Sequence, residues 1–84
     1  MTSHPNRGWR GRWAVDLAKM EARHGPSGLV VRFQPHPEGG WSGQSPNAQE
    51  VFRALKAAGT KDLERTLARL LREAGDIFSE KNHE

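Results

Sequence analysis

Over residues 60–80 the apolar side chains Leu63, Leu67, Leu70, Leu71, Ala74, Ile77 and Phe78 recur at helical spacings. At about 100° per residue they fall within an arc of about 120°, the width of a stripe that a helix buries against a core. A chain carrying such a helix must supply a surface for it to lie on. Arg65, Arg69 and Arg72 lie at i, i+4 and i+7 on the opposite side, with Asp62, Glu73 and Asp76 three or four residues from them. That spacing predicts a salt-bridged, solvated outer face. Gly75 lies on the flank of the apolar stripe and costs about 1 kcal/mol relative to Ala, so a bend or a stop is expected there.

At 84 residues the chain has room for one domain, because each half of a divided chain would bury too little surface. An apolar share of 35% is low, which implies a small core and polar ends. A flexible basic arm is expected over residues 1–8, one domain over 9–80 and a disordered tail over 81–84. Cysteine is absent, which excludes a disulfide staple, a zinc-thiolate site and a cysteine nucleophile together. No apolar run approaches a membrane span and the polar start does not read as a signal peptide, so a cytoplasmic location is expected.

Trp9, Trp13, Val15 and Leu17 follow a strand period of two, while Trp13, Leu17 and Met20 also satisfy i, i+4 and i+7. Strong helix formers fill residues 14–22, which favours a first helix, stopped by His24-Gly25-Pro26. Residues 29–34 read as a strand, with Leu29, Val31 and Phe33 on one face and Val30, Arg32 and Gln34 on the other. Its ladder needs a partner, either residues 40–44 beyond a Pro/Gly turn or the same strand of a second copy across a two-fold axis. Ser45 or Asn47 caps a second helix with Val51, Phe52, Leu55 and Ala58 as its apolar face, and Asn47-x-x-Glu50 has capping-box spacing. Gly59 ends that helix and Thr60 caps the third. The expected fold is a small single α+β domain in the order helix, strand or β-hairpin, helix, helix, its sheet completed within the chain or by dimerisation.

The close-set second and third helices invite comparison with a DNA-reading helix-turn-helix. With Gly59 as the turn glycine, the positions that should be small and apolar hold Leu55 and Arg65, so a packed helical hairpin is expected instead.

Charge is uneven. Net charge is +3, yet up to Arg32 six cations (Arg7, Arg10, Arg12, Lys19, Arg23, Arg32) face only Asp16 and Glu21. Such an excess favours an acidic partner. Within it, Arg7-Gly8-Trp9-Arg10-Gly11-Arg12-Trp13 interleaves cations with indoles, a combination that can neutralise phosphates and stack on unpaired bases. The competing reading is that the tryptophans supply burial to a core short of large apolar groups.

Pro35-His36-Pro37-Glu38-Gly39-Gly40-Trp41 resembles a short signature, PHPEGG followed by an aromatic residue, of one small family of cupin-like proteins. The resemblance covers seven residues. The chain is too short for a cupin barrel and lacks the further metal-binding histidines, so a turn is expected and no function is carried over. Glu21-x-x-His24 would set a carboxylate beside an imidazole on a helix, but a di-iron bundle needs two such motifs and two more glutamates. No serine stands in a nucleophile elbow, and Gly39-Gly40-x-x-Gly43 lacks the ending of a phosphate-binding loop.

These features favour a non-enzymatic accessory or regulatory module that engages an acidic partner, nucleic acid first, through its basic amino-terminal third. Arg7, Arg10, Arg12 and Arg23 would contact phosphates, and Trp9 would stack or anchor. The alternative is a protein-binding adaptor or inhibitor, including a homodimer, that uses the strand edge from Leu29 to Gln34, with Leu29, Val31 and Phe33 at the interface, and the loop at Trp41. A small enzyme using His36 with Glu38, or His24 with Glu21, ranks third. No cofactor, metal or membrane partner is expected.

Overall fold

The computed structural model describes residues 7–83; residues 1–6 and 84, and the Arg7 side chain, lie outside it, and most of the expected arm with them. The chain is α+β, with a single turn of helix α1 (Arg7–Arg10) followed by the strands β1 (Trp13–Asp16), β2 (Glu21–His24), β3 (Val30–Pro35) and β4 (Trp41–Gln44). Helices α2 (Ala48–Ala57) and α3 (Leu63–Asn82) follow. The strands form one antiparallel meander in the order β1-β2-β3-β4. The thinnest dimension is 20 Å, the depth of one sheet and one helical layer.

The helix expected over residues 14–22 is instead a β-hairpin. Trp13 pairs with His24 and Val15 with Ala22, which puts all four on the inner face, beneath α3. Its four-residue turn is held by the Lys19 N–H donating to Asp16 Oδ1 at 3.1 Å, and Met20 takes a positive φ of 55°. Leu17, which a helix would have buried under Trp13, is 44% exposed. Helix propensity lost to pairing, because only strands here satisfy the backbone of β3 on its β2 side.

The strand expected over 29–34 is present, but it is interior, paired with β2 on one side and β4 on the other. The edge proposed for protein binding is therefore filled by the chain's own strands. Leu29 and Val31 lie in the core rather than on a surface. The β3–β4 turn is built as its Pro/Gly content predicts, with Gly39 and Gly40 at positive φ and the His36 N–H donating to the Gly40 carbonyl at 2.9 Å.

Asn47 stands at the N-cap of α2, yet its side chain makes no cap bond. It reaches across to the sheet instead: Oδ1 accepts from the Val30 N–H at 3.0 Å and Nδ2 donates to the Gly28 carbonyl at 2.9 Å. At the other end, Gly59 (φ 81°) ends α2 in a Schellman arrangement, Gly59 N–H to the Lys56 carbonyl and Thr60 N–H to the Leu55 carbonyl. The N-cap of α3 is Asp62, in the left-handed region, not Thr60.

Helix α3 passes Gly75 without a break and runs to Asn82, into the expected tail. Leu70, Ala74, Ile77 and Phe78 are its buried stripe, and they meet Trp13, Ala22, Leu29, Val31 and Val51 in one core. Phe78 stacks on Phe33 with centroids 4.3 Å apart, and Trp41 meets it edge-on at 5.3 Å. Such contacts contribute about 0.5–1.5 kcal/mol each beyond the area they bury.

Candidate functional site

The basic residues of the amino-terminal third are placed unequally. The Arg10 guanidinium forks onto Glu80, with Nε–Oε1 at 3.0 Å and Nη2–Oε2 at 2.7 Å, and lies 4.5 Å from the Trp9 ring centroid. The pair holds the Arg10 pKa up and the Glu80 pKa down, chiefly through that hydrogen bond. Trp9 packs against the core. Arg10 therefore ties α1 to the end of α3 while its side chain stays 40% exposed, and Trp9 is half-buried. Arg23 projects from the outer face of β2, 3.7 Å from Glu21, which Arg32 approaches from the neighbouring strand at 3.5 Å. Arg12 is exposed in the turn before β1.

Arg12 leads to a second set of charges. Its carbonyl accepts from the Gly25 N–H at 2.8 Å, which sets it beside His24. The His24 ring lies 4.8 Å from Trp13, whose indole N–H donates to Glu73 Oε1 at 3.0 Å. Glu73 in turn sits 3.8 Å from Arg69. His24 is 7% exposed, and its Nδ1 accepts from the Ser27 N–H at 3.3 Å and lies 2.7 Å from the Ser27 hydroxyl. Burial lowers its pKa; Glu73 opposes the shift, and the charges of Arg12 and Arg69 reinforce it. The same neighbourhood thus joins Arg12 on the sheet to Arg69 on α3.

Along α3 the cations are more open than their spacing predicts. Among the described residues the sole α3 arginine with an ion pair is Arg69, at the long distance of 3.8 Å; Asp62 and Asp76 form none with Arg65 or Arg72. Lys61, Asp62, Arg65, Thr66, Ala68, Arg69 and Arg72 line an open groove of about 520 Å³, so four cations face it against one carboxylate. The expected salt-bridged face is a basic one. The spacing of Arg65, Arg69 and Arg72 signalled it, but whether neighbouring carboxylates would reach them could not be read from one dimension.

The remaining candidates do not assemble. Glu21 and His24 fall on opposite faces of β2, as three-residue spacing on a strand requires. His36 serves its own turn, accepting the Glu38 N–H at Nδ1, 3.1 Å away. Trp41 belongs to β4 rather than a loop and is 39% exposed, with Phe33 and Phe78 behind it. An apolar groove of about 320 Å³ runs between Ala48, Phe52 and Leu67. Among the described residues no three His, Asp or Glu side chains approach metal-ligand spacing, and no helix is long and apolar enough to cross a membrane. No protein-family model, curated protein or solved structure matches the chain.

Proposed function

We propose that the protein is a non-enzymatic accessory or regulatory module that binds an acidic partner, nucleic acid in preference to protein, through the groove face of α3 together with Arg12. The observation that carries this is the row Arg65, Arg69 and Arg72 lining one groove with Lys61, with a single ion pair of 3.8 Å among them. An arginine without a fixed carboxylate partner keeps its donors for phosphate oxygens, which it can take two at a time. The amino-terminal third adds the exposed Arg12 and Arg23 to the reading, while Arg10 is paired with Glu80 and Trp9 packs against the core.

Direct titration tests it. Labelled oligonucleotides of mixed sequence should bind with an affinity that falls steeply with salt, and polyglutamate should displace them poorly. Binding of polyglutamate with no binding of any oligonucleotide would assign the surface to an acidic protein instead.

A further inference from the structure

Resting on that reading, we infer that the ligand of the α3 groove is a nucleic-acid duplex, held by its backbone phosphates and not by stacked or sequence-read bases. Proteins that hold single strands need aromatic faces on which successive bases stack. Here five of the six Trp and Phe rings are committed elsewhere, and the sixth, Phe52, is a single partly buried ring that meets the row only at Arg65, too little for a run of stacked bases. Trp13 is buried and donates its N–H to Glu73, and the Trp9 face carries the Arg10 guanidinium. Phe33 and Phe78 stack on each other, with Trp41 edge-on to Phe78.

Trp41, the most exposed of these, is on the wrong side. It lies on β4, at the opposite edge of the sheet from β1, which bears Trp13 and its bond to Glu73. Phe78, against which it rests, is nine residues from Arg69, about half a turn out of phase and hence on the far face of α3. A strand lying in the groove cannot also stack on Trp41.

What the groove offers instead is a row of charge carried on a single helix. At about 1.5 Å per residue, Arg65 to Arg72 covers about 10 Å of one continuous helix. Thr66 and Ala68, small residues in the same lining, let a backbone come close to the helix between the long cations. A duplex presents one phosphate charge per about 1.7 Å of axis, twice the density of one of its strands, so a short fixed row meets more of them within reach. Such contacts orient the ligand and carry no sequence information.

Fluorescence anisotropy with the full chain separates the cases, using duplex DNA, duplex RNA, single-stranded DNA and single-stranded RNA of mixed sequence and equal strand length. At least one duplex should bind about tenfold or more tighter than either single strand, because the stacking that compensates a flexible strand is missing. Scrambling its sequence should leave the affinity unchanged, and tryptophan emission should not be quenched on binding. Single strands binding as tightly as duplexes, a quenched tryptophan signal, or a strong dependence on sequence would each overturn the inference while leaving nucleic-acid binding intact. Failure of all four probes would overturn the proposed function and this inference together.

Discussion

The Trp13 indole donates to Glu73 Oε1 at 3.0 Å while Oε2 of the same carboxylate lies 3.8 Å from Arg69. One side chain thus ties the first strand to α3 and restrains one of the groove arginines. Stability and binding should therefore respond to Glu73 in opposite directions. Glu73→Ala leaves a partly buried indole N–H without its acceptor, a loss of about 1–3 kcal/mol. Freed from its carboxylate, Arg69 gains access to phosphate, and the dependence of log K on log salt should steepen by up to about 0.9. Glu73→Gln keeps the acceptor and should retain most of the stability with the same gain in binding. Denaturant melts and salt titrations of both variants check the pair of signs.

Phe78 is buried, stacks on Phe33 and takes Trp41 edge-on. Phe78→Ala should cost about 3–5 kcal/mol, a large part of the stability of a domain this small. Phe78→Leu, which keeps most of the volume, should remain folded. Thermal melts followed by circular dichroism distinguish them.

His24 makes stability depend on pH. Its folded pKa is below the ordinary value of about 6.5, so the unfolded chain binds the proton more readily. Its contribution is full above the unfolded value and is lost as pH falls through about 6.5, levelling off once the folded ring is also protonated. The surroundings fix the sign: burial and the charges of Arg12 and Arg69 disfavour a cation, Glu73 favours one, and the Ser27 N–H already occupies Nδ1. Urea melts between pH 7.5 and 5.5 should show falling stability in the wild type and a flatter profile in His24→Gln. Glu80 acts in a lower window, below the ordinary carboxylate range, where loss of its charge releases Arg10.

Asn47 should behave as a clamp and not as a helix cap. A cap would tolerate Asn47→Asp with little change. A clamp that donates to the Gly28 carbonyl and accepts from the Val30 N–H would not, because a carboxylate has no donor for the carbonyl. Both Asn47→Asp and Asn47→Ala should cost about 1–3 kcal/mol in urea melts.

The features legible in the chain were those set by local pattern. The α3 stripe, the β3 faces, the Pro/Gly turn and the Gly59 stop each follow from spacing or from the φ a residue tolerates. The β1–β2 hairpin was hidden because Ala14, Ala18 and Ala22 favour helix locally, and the reason to be extended lies in β3, which the local sequence cannot see. The partners of the candidate-site residues were hidden for a related reason. Arg10 and Glu80 are seventy positions apart, as Trp13 and Glu73 are sixty apart, so sequence could not tell a committed cation from an open one. The row on α3 was visible as spacing, and its openness emerged only with the side chains in place.

The most direct test of that openness is the salt dependence of duplex binding for wild type and an Arg65→Gln, Arg69→Gln, Arg72→Gln triple variant. All three arginines project from the outer face of α3, and glutamine is a sound helix former, so circular dichroism should show the variant folded. At about 0.9 per lost phosphate contact, the slope of log K against log salt should become shallower by about 2–3, with much weaker binding at low salt. A folded variant that binds with the wild-type slope and affinity would contradict the account.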